Sequence, residues 1–331
     1  MSLVSEISEQ VGIITLLLGE NAPSPQLRKK NQIKTIHSSL AIEQNTLSLK
    51  QVTDIIEGKK VLGAPDEIQE VKNAIEAYHL MSQLDAFKEK DLLKAHGLMM
   101  KNLVKNAGKY RQEGVGVFNG EQVIHIAPPA SQVPRLMGDL FNWVQKTDIH
   151  PLLYSCIFHY EFEFIHPFMD GNGRMGRYWQ TMLLSRWKGI FAWLPVETIV
   201  KEHQQDYYDA IAKSDAQGES TIFVEFMLGC LLDAMLNYQE EEKTETEEKK
   251  VPHKIPNKVP NKLKHEFPDV TDGTWGVYLA LKKNYKMSAE ELGKALGISS
   301  RMVRKHLASL RERGLIVRVG SNKTGYWKVT I

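Results

Sequence analysis

Cysteine is scarce in this sequence: Cys156 and Cys230 are the only two among 331 residues. Two thiols cannot form a disulfide framework or a four-thiolate metal site, so both classes of cysteine-dependent protein are excluded. Each cysteine lies in an apolar pattern with helical spacing, which predicts a buried and unreactive thiol. Free thiols fit a reducing compartment, and we therefore expect the protein in the cytoplasm.

Long hydrophobic runs are also absent from the sequence. No stretch approaches the roughly 20 consecutive apolar residues that cross a bilayer. The longest early run, residues 11–18, follows Glu6 and Glu9 rather than a basic leader, so it does not resemble a signal peptide. The sequence therefore predicts no membrane anchor and no membrane partner.

Net charge is close to balance at +2, and hydrophobic residues make up 42%, which excludes a mostly disordered chain. The charge is unevenly distributed, however. Residues 276–331 contain 12 Lys and Arg but 3 Asp and Glu, a net charge of +9, which leaves −7 on the rest of the chain. This asymmetry indicates that the C-terminal segment meets a polyanion and that the body does not.

Hydrophobic periodicity predicts a mostly helical body with one small hairpin. Around Asn119-Gly120 the apolar pattern has the period of a strand, and Asn-Gly between such strands is a strong hairpin signal. After residue 238 a charged run and four prolines predict a linker, although the acidic run could instead prolong the preceding helix. Helical patterns cover residues 33–42, 66–84, 92–103, 133–145, 152–164, 172–187, 202–213 and 222–237.

The most informative segment is HPFMDGNGRMGR, residues 166–177, which lies between two helical patterns. Its glycines allow successive main-chain N–H groups to point at one spot, and a helix N-terminus adds partial positive charge, so the turn can bind an anion. Arg174 and Arg177 lie three residues apart, and two guanidinium groups there can hold a polyphosphate. The same pattern also fits an ordinary helix start tied to a buried carboxylate.

Two further side chains of this segment carry chemistry. Asp170 offers a hard carboxylate oxygen suited to a Mg²⁺ ion that also bridges phosphates. His166 directly precedes the loop, and its ordinary pKa near ~6.5 suits the removal of a proton from an attacking hydroxyl group at neutral pH. A histidine, an aspartate, glycines and two arginines in one short segment favour a catalytic site over a plain helix start.

The segment resembles the signature of the Fic family, His-x-Phe-x-(Asp/Glu)-Gly-Asn-Gly-Arg-x-x-Arg, and every defined position is present. Those positions are His166, Phe168, Asp170, Gly171, Asn172, Gly173, Arg174 and Arg177. The resemblance extends over about residues 20–235. It implies a mostly α-helical enzyme that transfers AMP from ATP to a Ser, Thr or Tyr hydroxyl of a protein and releases pyrophosphate.

The resemblance also implies a role for each residue of the loop. His166 would be the general base, and Asp170 would hold Mg²⁺. Arg177 would hold the γ-phosphate, and Phe168 would pack inward and fix the loop. The groups that hold the α- and β-phosphates would be Gly171, Asn172, Gly173 and Arg174.

Two further regions have roles implied by the family. Val123, Ile124 and His125 of the predicted hairpin would belong to a flap that aligns the target segment by strand addition. Tyr208 and Asp215 fall in the region that covers the adenosine in relatives, although either residue could equally serve in packing or on the surface.

Ser39 and Glu43 form a second motif. They are spaced i and i+4, so on a helix they share one face, and by itself this common spacing fits a solvated glutamate. Beside the loop it resembles the inhibitory motif of the Fic family, (Ser/Thr)-x-x-x-Glu-(Gly/Asn). The resemblance implies a salt bridge from Glu43 to Arg177 that leaves ATP misaligned. Gln44 departs from the pattern, since Gly or Asn is usual there, and Asn45 follows one place later.

The pattern of residues 287–331 predicts helix, turn, helix and hairpin. Ser288 is the predicted N-cap of the first helix, with Glu291 at the capping-box position. The module resembles a winged helix-turn-helix, in which a basic second helix, here capped by Ser299 or Ser300, enters the major groove of DNA. Winged helices also bind proteins, so both partners stay open. The candidate DNA-binding residues are Arg301, Arg304 and Lys305.

We therefore predict four parts: an N-terminal helical region with the inhibitory motif at 1–95, a Fic core at 96–237, a linker at 238–275 and a winged helix at 276–331. The leading hypothesis is an autoinhibited protein adenylyltransferase that uses ATP and Mg²⁺. Two alternatives stay open, a DNA-binding regulator whose Fic core senses nucleotide and a phosphodiesterase that removes AMP from proteins. The sequence also leaves open the protein target, modification of the chain itself and a homodimer.

Overall fold

The computed structural model describes residues 2–18, 25–119, 122–250, 266–285, 287–296, 298–319 and 326–330. The chain forms two compact units, Met1–Glu242 and Lys243–Ile331. The described residues contain fourteen α-helices and two hairpins of two strands each. The predicted mostly α-helical fold with a small hairpin and a C-terminal winged helix is therefore confirmed.

The first unit is helical apart from one hairpin. Its strands β1 (Gly116–Asn119) and β2 (Gln122–Ile126) pair antiparallel, and the register shifts after Val117 so that Ile124 is the extra residue of β2. The predicted turn residue Gly120 lies outside the described residues. The helices are α1 (Ser2–Leu18), α2 (Pro25–Ile42), α3 (Leu49–Ile56), α4 (Pro65–Leu80), α5 (Glu89–Met99), α6 (Val133–Lys146), α7 (Pro151–Ile165), α8 (Asn172–Trp187), α9 (Val196–Glu202), α10 (Gln204–Gln217) and α11 (Thr221–Lys250).

Helices α7 and α8 are central, because residues of both belong to both buried hydrophobic clusters of this unit. One cluster joins them to α2–α6, and there the fully buried Trp179 donates its Nε1–H to the main-chain oxygen of Ala86 at 3.0 Å. The other cluster joins them to α1 and α9–α11. The connection between α7 and α8 is therefore anchored at both ends by close-packed helices.

Both cysteines lie on helices of the first unit, Cys156 on α7 and Cys230 on α11, and both are buried free thiols, as predicted. Burial raises the pKa of each thiol to about 12. The thiolate fraction at neutral pH is then negligible, so neither thiol is reactive.

Helix α11 is longer than the sequence predicts. The predicted helix ends at residue 237 and the predicted linker begins at 238, but the backbone remains helical to Lys250. Glu and Lys are strong helix formers, and no proline interrupts the chain before Pro252, so the acidic run prolongs the helix. The rest of the predicted linker, as far as residue 265, lies outside the described residues.

The first part of α11 also differs from the expectation of no membrane-length segment. Residues Thr221–Glu240 are long and apolar enough to cross a membrane by length and composition alone. Half of the most apolar window, 50%, is buried within the fold, where Phe223, Met227 and Leu231 pack in the second cluster of the first unit. Such burial is typical of the core helix of a helical domain.

Between residues 266 and 330, the described part of the second unit forms three α-helices followed by a hairpin. A capping box starts its second helix, with Ser288 N–H donating to Glu291 Oε2 at 2.7 Å, and Ser299 caps the third by accepting from Met302 N–H at 3.2 Å. Gly314, at φ +67°, follows the end of that helix. The predicted wing turn from residue 320 lies outside the described residues. The elements are α12 (Asp272–Lys283), α13 (Ala289–Leu296), α14 (Ser300–Glu312), β3 (Ile316–Val319) and β4 (Tyr326–Val329).

Candidate functional site

The connection between α7 and α8 turns twice through left-handed backbone. His166 follows the last residue of α7 at φ +49°, and Gly171 precedes α8 at φ +83°. A side chain at Gly171 would be strained at that angle, and its Cβ would lie 2.6 Å from Met100 Sδ. Only glycine fits here, which explains the glycine requirement that the sequence pattern suggested.

Asn172 closes the loop with its side chain. Its Oδ1 accepts from Phe168 N–H at 2.9 Å, and its Nδ2 donates to the main-chain oxygen of Phe168 at 2.9 Å. Asn172 is buried, and the family role predicted for it was a contact with the phosphates. The side-chain amide group holds the loop, because both of its polar atoms bond to the same residue, and a phosphate contact through the main-chain N–H of Asn172 stays a prediction.

His96 on α5 packs against the loop and bonds to its backbone. Its Nδ1 accepts from Gly108 N–H at 2.8 Å, so its Nε2 carries the proton and donates to the main-chain oxygen of Asp170 at 3.1 Å. Its ring stacks on Phe168, with the centroids 3.6 Å apart, and the predicted inward packing of Phe168 is thereby explained. Burial lowers the pKa of His96 to about 4, which keeps the ring neutral. A lone histidine in a helix gave no sequence signal for this role.

Arg174 is buried and held by two carboxylates. Its Nη1 lies 2.9 Å from Glu70 Oε1, and its Nη2 lies 3.3 Å from Asp170 Oδ1. Asn45 Nδ2 donates to the other oxygen of Glu70 at 2.8 Å. Glu70 is a residue that the sequence analysis missed, because nothing in the α4 pattern separates it from a solvated glutamate.

Arg177 contacts both residues of the second motif. Its Nη2 lies 2.7 Å from Glu43 Oε1 and donates to the main-chain oxygen of Ser39 at 3.0 Å, while its Nε donates to Ser39 Oγ at 3.3 Å. Burial opposes the charge of Arg177, but Glu43, Tyr207 and Glu163 together outweigh it and hold the pKa of Arg177 above its ordinary value. The salt bridge implied by the family resemblance is therefore present in the structure.

The Glu43 carboxylate also lies against the N-terminus of α8. A Cβ atom at Gly173, in the first turn of α8, would collide with Glu43 Oε1. Gln44, just after α2, has a left-handed backbone at φ +68°. Gly and Asn, the usual residues at this position of the motif, are favoured in that conformation. A carboxylate thus occupies the place where the positive end of the helix dipole and the arginine favour an anion.

His166 presents one ring nitrogen as a base. Its Nδ1 lies 3.3 Å from the main-chain oxygen of Glu163, which can only accept, so Nδ1 carries the proton and Nε2 is the basic atom. The buried Glu163 carboxylate lies 3.9 Å from His166 Nδ1 and also interacts electrostatically with Arg177. Burial opposes its charge, but the nearby His159, His166 and Arg177 outweigh this cost and lower the pKa of Glu163.

The loop fits Mg²⁺ and a polyphosphate. Among the described residues no group of three or more His, Cys, Asp or Glu side chains could hold a metal. The exposed Asp170 carboxylate is the candidate ligand, since Mg²⁺ sites can use one carboxylate together with phosphate oxygens and water. Two buried guanidinium atoms, Arg174 Nε and Arg177 Nη1, make no hydrogen bond within the described residues, and both can donate to an anion.

The remaining predicted site residues lie in β2 and on α10. For Val123, Ile124 and His125 the structure describes the backbone of β2 alone. Tyr208 OH lies 3.4 Å from the main-chain oxygen of Ile42, so it contacts the end of α2. Asp215 accepts from Tyr160 OH at 2.8 Å.

A further buried acid lies near Arg177. Glu197 on α9 accepts from Tyr78 OH at 3.2 Å through Oε1, while its buried Oε2 has no hydrogen-bond partner among the described residues. Burial raises the pKa of Glu197 to about 7 from an ordinary value of 4.5. The folded protein therefore binds this proton more tightly than the unfolded chain, and the stability from Glu197 is lost as pH rises from 4.5 to 7.

We expect Glu197→Gln to stabilise the fold at pH 8 by on the order of 2–3 kcal/mol and to have little effect at pH 5, because the neutral amide avoids burying a charge. Urea unfolding at the two pH values measures this difference. Glu202→Gln, an exposed change on the same helix, is the matched control and should shift neither curve. Equal effects of Glu197→Gln at pH 5 and pH 8 would contradict the raised pKa.

The fold and the site together define a class: a helical domain with an anion-binding loop and a basic histidine, followed along the chain by a winged helix. Comparison with known proteins agrees. Residues 81–184 match the Fic/DOC family, and residues 277–326 match an HTH domain. A solved Fic family protein from Desulfovibrio desulfuricans G20 is 45% identical, with 99% of this chain and 95% of that chain covered and a TM-score of 0.70. The chain belongs to the Fic family.

More distant relatives extend this picture. The protein adenylyltransferase Fic of Culex quinquefasciatus is 32% identical over 213 residues, which cover 61% of this chain and 40% of that protein. The chain thus spans about two fifths of the length of the curated relatives it matches. Fic-1 from C. elegans, at 20% identity, 74% of this chain, 72% of that chain and a TM-score of 0.59, shares the fold.

Proposed function

We propose that the protein is an autoinhibited adenylyltransferase, which transfers AMP from ATP to a Ser, Thr or Tyr hydroxyl of a protein. The observation that carries the proposal is the Glu43 carboxylate on Arg177 at the N-terminus of α8. An anion already lies where a triphosphate would bind, beside a histidine with a basic nitrogen. The names of the matched relatives, protein adenylyltransferase Fic, support the same activity.

In this proposal His166 Nε2 accepts the proton of the target hydroxyl, whose oxygen attacks the α-phosphorus of ATP in line. The P–O bond to the β-phosphate breaks, and pyrophosphate leaves. The main-chain N–H groups at the start of α8, with Arg174 and Arg177, hold the phosphate charge. Mg²⁺ bound to Asp170 would supply further charge neutralisation between the phosphates.

Incubation with ATP labelled at the α-phosphate and Mg²⁺ tests the proposal directly. Label on a polypeptide supports AMP transfer, and this labelling should require His166. A chain that binds ATP but never acquires label, even after Glu43 is replaced, would instead indicate a nucleotide sensor. Release of AMP from a target modified beforehand would indicate the reverse, phosphodiesterase direction.

We also propose that the second unit binds DNA. Arg301, Arg304 and Lys305 are all exposed on α14, the second helix of the helix-turn-helix. The matched HTH domain and the net charge of +9 over residues 276–331 support a polyanionic partner.

The buried free thiols are consistent with the cytoplasmic location that we propose for both activities.

Replacing Arg301 and Arg304 with alanine should weaken DNA binding and flatten its salt dependence. The loss of two phosphate contacts should reduce the slope of log K against log salt by about 1.8. Fluorescence anisotropy with duplex DNA at several salt concentrations measures the slope. Arg28→Ala with Arg135→Ala removes the same charge from exposed positions of the first unit and should leave the slope unchanged. No DNA affinity of the intact protein at low salt would favour a protein partner.

A further inference from the structure

Arg111, between α5 and β1, is a buried arginine with an unusual set of contacts. It is 2% exposed. Its guanidinium group donates only to main-chain oxygens among the described residues: Nε to His166 at 2.7 Å, Nη1 to Glu113 at 2.9 Å, and Nη2 to Pro128 at 2.5 Å and Ile165 at 3.3 Å. In addition, its main-chain N–H donates to the oxygen of Pro167 at 2.9 Å.

Two of these main-chain oxygens, those of Ile165 and His166, lie at the C-terminal end of α7. Ile165 is the last residue of the helix and His166 is its cap, so their carbonyl groups form the negative end of the helix dipole. A cation is stabilised there, and Arg111 satisfies carbonyl groups that the helix itself leaves without partners. Burial of a charge without a carboxylate is unfavourable, and it lowers the pKa of Arg111. Packing alone would not require a charged residue at this position.

The other two main-chain oxygens that accept from the guanidinium group flank the hairpin. Glu113 precedes β1 and Pro128 follows β2. One guanidinium group therefore joins both ends of the hairpin to the turn that carries His166. Because His166 has the left-handed conformation at φ +49°, which a non-glycine residue adopts only when its surroundings enforce it, these contacts also oppose the relaxation of that turn.

We propose that Arg111 is a positioning residue for AMP transfer. It fixes the backbone of His166, and hence the direction of the basic ring nitrogen, relative to the hairpin that would align the target hydroxyl. The inference rests on the proposed transferase function and adds the residue that sets the geometry between base and target. Arg111 acts through the main-chain groups that it binds, those of Glu113, Pro128, Ile165 and His166.

The experiment uses the full chain carrying Glu43→Gly, with Arg111→Lys and Arg111→Met added separately. We expect kcat for label transfer to fall roughly 10- to 100-fold in Arg111→Met and less in Arg111→Lys, because a lysine can serve fewer of the four carbonyl groups. KM for ATP should stay within about threefold, since the phosphate contacts lie on α8. Guanidinium ion added to an Arg111→Ala variant should restore part of kcat.

Arg186→Met is the matched control, because Arg186 also donates to a main-chain oxygen, that of Leu84, away from the loop. It should leave kcat unchanged. A folded Arg111→Met variant that transfers label at the rate of its parent would overturn the proposal. If that variant does not fold, a parental kcat in Arg111→Lys has the same consequence.

Different experimental results would refute the proposed transferase function and the positioning role of Arg111. A Glu43→Gly parent that transfers no label refutes the transferase function, whatever Arg111 does. In that case the imidazole signals of His166 in nuclear magnetic resonance decide the positioning role. We expect Arg111→Lys to shift these signals, and unchanged signals would contradict the inference.

Discussion

Replacing Glu43 with glycine is expected to raise transfer of AMP onto the protein itself by roughly 10- to 100-fold, equivalent to about 1.4–2.8 kcal/mol. The Glu43 carboxylate lies 2.7 Å from Arg177 Nη2 and against Gly173, so an incoming phosphate must displace it. Without the carboxylate, Arg177 is available to the γ-phosphate and the start of α8 is accessible to an anion. Labelled ATP with Mg²⁺, followed by separation of the polypeptide, measures the gain.

Two variants control for the glycine itself. Glu43→Gln keeps the length of the side chain and removes its charge, so it should show much of the gain. Gln44→Gly places glycine at a left-handed residue of the same segment, where it relieves strain, and should leave the ion pair and the low activity in place. If Glu43→Gly is folded and shows no gain over the unmodified chain while His166→Ala is inactive, the inhibitory role is wrong.

Replacing His166 with alanine in the Glu43→Gly protein is expected to lower the rate of label transfer by about 10²- to 10⁴-fold, the usual range for loss of a general base. Affinity for ATP should hardly change, because Arg174 and Arg177 remain in place on α8. Calorimetric titration of ATP and the transfer assay together separate loss of chemistry from loss of binding.

His79→Ala, an exposed histidine on α4, is the matched control and should retain the parental rate. The pH dependence provides an independent check, since transfer by the parent should fall as pH drops below the pKa of the base and the imidazole becomes protonated. Near-parental transfer by His166→Ala at neutral pH would show that another group removes the proton.

Much of the site could be predicted because it is continuous in sequence. The loop from His166 to Arg177 carries the proposed base, the candidate metal ligand and the proposed phosphate-binding groups in a single turn, and glycines at fixed positions report its backbone geometry. The caps of the second unit at Ser288 and Ser299 were predictable for the same reason, since a cap involves only residues three apart.

Other parts of the site could not be predicted, because their partners are main-chain atoms or distant side chains. His96 and Arg111 bond to carbonyl and N–H groups, which every residue has, so no residue pattern marks these contacts. Glu70 meets Arg174 across a separation of 104 residues. The sequence left the length of α11 open between a linker and a longer helix, because charged runs of high helix propensity are compatible with both.

The sequence by itself determined the helical class of the chain, the anion-binding turn and the winged helix, since each depends on local periodicity, glycine positions and caps. Only the tertiary structure decided which groups meet that turn. It placed Glu70 on Arg174 and Arg111 behind His166, whereas the contact of Glu43 with Arg177 was already implied by the family motif. These contacts arise from the packing of α2, α4 and the segment before β1 around α7 and α8, and packing between distant segments has no local signature.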